Sequence, residues 1–401
     1  MSMSFEPGAP LPAGFIPLCV PEIRGNEWAY IKECLDTNFV SSVGAYVDRF
    51  ESDIAARVGA RYTVATTSGT AALHIAFLVA GVQPDDEVLV STLTFIAPVN
   101  AIRYVGAYPV FVDAELDYWQ MDVHKAIEFM EQECRWTNGE LRDIATGRRV
   151  KAIVPVGILG HPVDMDPLIA AARKYDLAII EDATESLGAK YKGRMAGHLG
   201  DIACLSFNGN KLITTGGGGM IVTDNESMAR RAKYLTTQAK DDPLEFVHGA
   251  IGYNYRLTNI QAALGVAQLE KLDEYIDVKR NIAKTYTAAL RDVPGVKPMT
   301  EADWAFGVFW LYTVLIDSVG FGMDSRALMR KLDTHKIQAR PLWQPAHLSP
   351  AHRDMRATDC SAAEQLNRDA ISLPSSVGLN YVDQQRVMEL LRDLQRGVAP
   401  S

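Results

Sequence analysis

The chain has 401 residues, 48% hydrophobic and 22% charged, and carries a net charge of −9. That length exceeds what one core usually serves, so two domains are expected. The acidic balance argues against a protein that grips nucleic-acid phosphates with a basic face. Five widely spaced cysteines without a C-x-x-C pair argue against a disulfide framework or a zinc centre. They fit reduced thiols in a cytoplasm. The N-terminal text "MSMSFEPGAPLPAGFIPL" has no charged region ahead of an apolar core, so it does not read as a signal peptide. No apolar run is long enough to span a membrane.

Residues 1–20 read as an extended arm. Helical periodicity follows at 25–38 and 46–60. Strands and helices then alternate. Strands are expected at 62–66, 87–91, 108–113, 151–156, 177–182, 202–207 and 219–224, and helices at 69–81, 97–106, 124–136 and 165–175. Several strands are continuous apolar runs, as when helices cover both sheet faces. The pattern is that of a mostly parallel α/β sheet with right-handed crossovers. "WTNGELRDIATGRR" (136–149) interrupts it as a solvated polar hairpin or loop. Residues 259–292 are helical but too long for one ordinary helix, so a bend or a domain link is expected there. Beyond lie 306–316, 325–337 and 383–397, the pieces of a small C-terminal α/β domain. The division is placed near 275, giving a large domain with its arm at 1–275 and a small one at 276–401.

"SFNGNKLITTGGGGM" (206–220) holds one lysine in an uncharged stretch. It is not a Walker loop, because Leu212 follows Lys211 and the glycines come later. It is not a dinucleotide fingerprint, because Val222 stands where the third glycine is needed and the run precedes a strand. Alone, Lys211 reads as a surface lysine. Upstream, "AIIEDATESLGA" (178–189) ends an apolar strand on Glu181 and Asp182, at the end of a sheet where ligands bind. Asp182 equally reads as a cap on the next turn. "TTSGTAALHIA" (66–76) sets Ser68, Gly69 and Thr70 at a strand-to-helix junction. That junction suits a phosphate, or is simply a well-capped helix. Phe95 in "STLTFIAPVNA" follows another strand end and, alone, reads as core. Together these features match the needs of pyridoxal phosphate. It requires a phosphate cradle, a flat slab against the ring, a carboxylate at the pyridine nitrogen and a lysine amine.

In this combination the chain resembles the nucleotide-sugar aminotransferases of the DegT/DnrJ/EryC1/StrS family, from about Ile16 to Leu391. The matching text includes "TSGTAALHIA", "STLTFIAPVNAI", "IIEDATESLGA", "GDIACLSFNGNKLITTGGGGMIVT" and "GYNYRLTNIQAALGVAQL". The resemblance implies an aspartate-aminotransferase-like fold of the PLP fold type I. It implies Lys211 as the Schiff-base lysine, Asp182 at the pyridinium nitrogen and Phe95 stacked on the ring. Ser68, Gly69, Thr70 and Ser206 would surround the phosphate, Asn208 would stand nearby, and Glu185 would lie towards the ring hydroxyl. Asn254 would reach the neighbouring subunit's cofactor, making a homodimer with composite sites.

The lysine is retained where some relatives carry histidine and act as dehydratases, so transamination from L-glutamate to a nucleotide-linked keto sugar is implied. The version "SFNGNK" with "LTTQAKDDP" most resembles enzymes acting on UDP-4-keto-6-deoxy-N-acetylhexosamines. GDP-4-keto-6-deoxymannose and dTDP-keto sugars are the alternatives. A non-catalytic regulator of the same fold is a reading of a different class, but it should lack Lys211 or Asp182, and both are present. For the sugar diphosphate, Lys240, Arg256, Arg340 and His347 are candidates. Asn38 and His161 read either as sugar contacts or as structural residues.

Overall fold

The computed structural model describes residues 12–242 and 244–397, so the expected arm before residue 12 lies outside the described residues. Helices α1 (Glu27–Asp36) and α2 (Ala45–Val58) come first. Then β1 (Tyr62–Thr66), α3 (Gly69–Val79), β2 (Glu87–Ser91), α4 (Ala97–Tyr104) and β3 (Tyr108–Val112) alternate as the periodicity requires. Helix α5 is shorter than expected. It runs Val123–Glu128, opens into a π turn at Phe129–Glu133, and leaves Cys134 and Trp136 on a strand. That strand, β4 (Cys134–Thr137), forms a hairpin with β5 (Glu140–Asp143), which adds antiparallel to β6 (Arg149–Val154). The polar insertion is therefore a hairpin. Its turn is Asn138–Gly139, both with positive φ, the combination a two-residue hairpin favours.

Next come α6 (Met165–Lys174), β7 (Ala178–Asp182), the short pair β8 (Lys190–Tyr191) and β9 (Arg194–Met195), β10 (Ile202–Ser206) and β11 (Gly219–Thr223). The main sheet runs in the order β1-β11-β10-β7-β6-β2-β3. From β10 to β3 the neighbours along this path are parallel, while β11 is antiparallel to both β1 and β10. Both faces are covered. In β2, Val88 and Val90 join one core cluster while Leu89 joins another. In β10, Cys204 and Ala203 divide in the same way. This period-two split explains why such strands read as unbroken apolar runs.

Helix α7 (Glu226–Thr236) escaped the sequence reading. It buries only Ala229, Ala232, Leu235 and Thr236, a narrow stripe in a charged helix, and its clearest signal is the Asn225 cap. The long helical stretch is α8 (Asn259–Leu269) and α9 (Leu272–Leu290), broken at 270–271. A capping box between Thr258 and Gln261 fixes the start of α8. Helix α9 crosses position 275. Beyond it, Val296–Pro298, Tyr312–Ile316 and Ala370–Leu373 form a three-stranded antiparallel sheet. The two parts are tied across the expected division. Arg356–Ala357 adds an edge strand to β3, and Ile16 bridges to Ile337.

Candidate active site

The carboxyl ends of β1, β2, β7 and β10 face one cavity of about 380 Å³. Each end delivers a different group. After β1, Ser68 caps α3, its side-chain oxygen accepting the Ala71 N–H at 3.0 Å. The first N–H groups of a helix have no intrahelical acceptor, so Gly69 and Thr70 present donors and a positive helix end to the cavity. The fit at 69 is tight: a Cβ there would sit 3.0 Å from the Ser206 Cβ, so a larger residue would push Ser206 aside. The last glycine of the run after the lysine serves the same junction. A Cβ on Gly219 would collide with the Ser68 carbonyl and the Gly69 N–H. The backbone that Gly219 admits is thus the start of α3 itself.

At the end of β7, two neighbouring carboxylates point to opposite faces. Glu181 turns away and accepts the N–H groups of Gly197 (2.7 Å) and Leu199 (2.9 Å), a structural use. Asp182 lines the cavity, 2% exposed, with one oxygen accepting the Thr184 N–H at 3.1 Å. Burial pushes the Asp182 carboxyl above its ordinary range, against the pull of Thr184 and of the Lys211 charge. Glu185 is also buried and also raised by burial, eased by Lys211. Its Oε2 accepts the Leu159 N–H at 2.8 Å, and its Oε1 stands 3.4 Å from Lys211 Nζ. Lys211 follows a turn closed by its N–H on the Asn208 carbonyl. Its Nζ lies 4.0 Å from the centre of the Trp310 ring.

Every residue expected around the cofactor except Asn254 lines this one cavity: Ser68, Gly69 and Thr70 at the helix start, Phe95 in the loop between β2 and α4, Ser206 at the end of β10, then Asp182, Glu185, Asn208 and Lys211. Asn254 is exposed on a loop beside stacked Tyr253 and Tyr255, its backbone bridged to Thr237. Sequence reasoning missed Trp310 and Trp343, which close the cavity from the C-terminal part with near-parallel rings. Nothing local marks them; Trp310 sits in text that reads simply as a strand.

The expected sugar-contact residues lie outside the cavity lining. Asn38 has φ 63 just past α1, a left-handed helix stop that asparagine tolerates. His161 is buried with both ring nitrogens engaged. Its Nε2 accepts the Ala302 N–H at 3.1 Å, which leaves Nδ1 to donate to the Pro162 carbonyl at 2.7 Å. Burial lowers its pKa, so the neutral ring stacked on Tyr118 is the form the core holds. His347 bridges Thr92 and Glu364, and Arg256 donates to the Ser42 carbonyl. Lys240 lies over the Phe246 ring and Arg340 is exposed; neither makes an ion pair among the described residues.

A lysine amine facing a buried carboxylate, beside a second buried carboxyl and a helix start, can attack a carbonyl and exchange protons in a site shielded from water. The site fits pyridoxal phosphate. Asp182, whose ionised form burial disfavours, would gain a positive partner in a protonated pyridine nitrogen, beside the amine of Lys211. The helix start and the glycine-lined junction meet a phosphate's need for N–H donors. Fold and site together define a pyridoxal-phosphate transaminase.

Comparison with known proteins agrees. Residues 21–392 match the DegT/DnrJ/EryC1/StrS aminotransferase family, and the chain belongs to it. It is 37% identical to the GDP-perosamine synthase of Caulobacter vibrioides, covering 94% of this chain and 97% of that one. It is 38% identical to the GDP-perosamine synthase of Escherichia coli O157:H7, covering 91% and 94%. A crystal structure of a family member from Brucella abortus superposes with a TM-score of 0.84 at 26% identity, over 92% of this chain and 95% of that one. The protein is therefore a pyridoxal-phosphate-dependent sugar aminotransferase of nucleotide-sugar biosynthesis. Among the described residues no helix is long and apolar enough to cross a membrane.

Proposed function

We propose that the enzyme transfers an amino group from L-glutamate to the 4-keto carbon of a nucleotide-linked 4-keto-6-deoxy sugar. The observation that carries this reading is the meeting of Lys211, Asp182 and Glu185 in one buried cavity against the start of α3. Ser68, Gly69, Thr70 and Ser206 hold the cofactor phosphate, Asn208 stands beside it, and Phe95 flanks the ring. Pyridoxal phosphate supplies the electron sink that makes a carbon-bound proton removable. Asp182 keeps the ring nitrogen protonated through a charge-assisted bond in a buried setting. Lys211 gives and takes the proton at the substrate carbon, first from glutamate and then to the sugar. Glu185 holds the amine on the cavity side of the chain. Asn254 completes the partner subunit's site, which fits its exposure here. Lys240 and Arg340, charged and without an ion pair among the described residues, are the diphosphate partners.

Of the sugar nucleotides weighed from sequence, the similarity to two GDP-perosamine synthases supports GDP-4-keto-6-deoxymannose over the UDP-linked N-acetylhexosamine. The test is mass detection of aminated product over a panel of UDP-, GDP- and dTDP-linked keto sugars with L-glutamate. Product from the GDP sugar at the highest kcat/KM is expected. Product from none of the 4-keto-6-deoxy sugars overturns the reaction assigned, and a preference for the UDP sugar overturns the nucleotide.

A further inference from the structure

Lys279 on α9 is 1% exposed and meets no carboxylate among the described residues. Its Nζ donates to the carbonyl of Trp310 at 2.7 Å and to that of Ser375, with Cys19 Sγ at 3.7 Å. Desolvation lowers its pKa. A buried ammonium without a counter-charge is costly, and a methionine of similar volume would fill the space more cheaply. The charge therefore asks for a reason, and its partners supply one. Trp310 is pinned three times. Its carbonyl accepts from Lys279, its N–H donates to the Leu159 carbonyl at 2.9 Å, and its indole N–H donates to the Asn210 carbonyl at 2.7 Å. Asn210 is the residue before Lys211.

The far wall is hung from the same place. Leu159 gives its N–H to Glu185 and its carbonyl to Trp310. It does so in a left-handed conformation, φ 59, that a leucine adopts only when its surroundings impose it. The Lys211 amine thus lies between a carboxylate and an indole face whose separation is set by one residue. The two walls act differently. Glu185 can take a proton, whereas an indole face attracts an ammonium without a lone pair to bind it.

We propose that Trp310 is a positioning residue for Lys211, holding its charged amine within reach of the reacting carbon, and that Lys279 fixes Trp310 for this task. The inference rests on Lys211 being the reacting lysine, as proposed above. The ring face restrains the amine after each proton transfer and leaves it free to give the proton back.

The test compares Trp310→Leu, Trp310→Phe, Lys279→Met and Lys279→Arg, each first shown to melt cooperatively. Trp310→Leu is expected to lose about tenfold to thirtyfold in kcat, with KM for both substrates within about twofold, the size of a desolvated cation–π contact. Trp310→Phe should lose less. A second readout needs no cofactor. In stripped protein, the rate of reductive methylation of Lys211, mapped by peptide mass, should rise several-fold in Trp310→Leu and less in Trp310→Phe. Lys279→Met should repeat the Trp310→Leu pattern and Lys279→Arg should restore part of it. If Lys279→Met does not fold, Lys279→Gln takes its place: kcat lowered and Lys211 methylation raised towards the Trp310→Leu values support the charge as the fixing element, and values matching wild type refute it. Equal behaviour of Leu and Phe at 310, unchanged Lys211 methylation, or a raised KM with unchanged kcat would each overturn the proposal. A cofactor adduct trapped on another lysine would instead overturn the assignment of Lys211.

Discussion

Glu87 opens β2 at the end of the sheet away from the cavity, and it is 1% exposed. One oxygen accepts the Thr146 hydroxyl at 2.9 Å, with Arg148 at 3.8 Å. Asp143 from the inserted hairpin faces it, and Asp143 in turn pairs with Arg356 at 3.0 Å. Burial first, and the Asp143 charge after the opposing Thr146 bond, raise the Glu87 carboxyl from 4.5 to about 7. The folded protein then holds a proton that the unfolded chain has released between those values. Stability therefore falls as pH rises through this window, and the loss is complete above about 7. At about 1.4 kcal/mol per pH unit, the shift is worth about 3 kcal/mol at most. Glu87→Gln keeps the shape without the charge. Urea unfolding of both proteins at pH 5 and pH 8 should show the variant close to wild type at the lower pH and more stable at the higher. The expected gain is on the order of 1–3 kcal/mol. A difference between the two proteins that does not grow from pH 5 to pH 8 refutes the reasoning, because only the titration of Glu87 distinguishes them.

Borohydride reduction of the yellow holoenzyme should fix the cofactor on Lys211, found by peptide mapping, and Lys211→Ala should abolish turnover in a folded protein. An adduct elsewhere sinks the site. Asp182→Asn should cost on the order of 10² in kcat, as loss of a preorganised charge does, with little change in stability because burial already disfavours the ionised carboxyl. Activity within a few-fold of wild type would leave Asp182 as a cap for Thr184 alone. Inactive Lys211→Ala and Asn254→Ala chains, mixed and allowed to exchange, should recover about one quarter of wild-type activity, since half the dimers then hold one site free of lesions. No recovery despite exchange would place Asn254 in its own chain's site.

The parallel strands were legible because burial on both faces removes the need to alternate, and runs such as "AIIED" state this directly. The cavity was legible where its groups stand at strand ends: Asp182, Ser206 and the start of α3 each follow a short apolar run. What stayed hidden has physical reasons. Helix α7 is rich in charge and buries mainly alanines, so its apolar stripe is small although it has the helical period. The end of α5 passes through a π turn that keeps helical composition while the chain turns into β4. Trp310 and Trp343 reach the cavity through tertiary packing from the C-terminal part, far along the chain from the strand ends, and an isolated aromatic residue reads as core wherever it stands. For His161, read either as a sugar contact or as structural, the hydrogen bonds favour the structural alternative. Its two nitrogens are spent on the backbone.

The composition of the cavity follows from its charge. Among the described residues, Asp182, Glu185 and Lys211 are the ionisable groups that line it. An arginine or a second lysine placed there to hold a phosphate would find two buried carboxylates nearby. It would pair with one of them and compete with Lys211 for Glu185 or with the ring nitrogen for Asp182. Backbone N–H groups at a helix start carry no proton to lose and no net charge to neutralise, so such groups can meet a phosphate without disturbing the carboxylates. That is a physical reason for "TTSGT" at the end of β1 in place of basic residues. It is also the reason Lys211 stands alone in uncharged text. A lysine that must release and regain a proton works best where no other cation repels its charged form and no other acid holds it. Gly219 beyond it lets β11 lie against the start of α3, which brings the free N–H groups of that helix to the cavity that Lys211 enters.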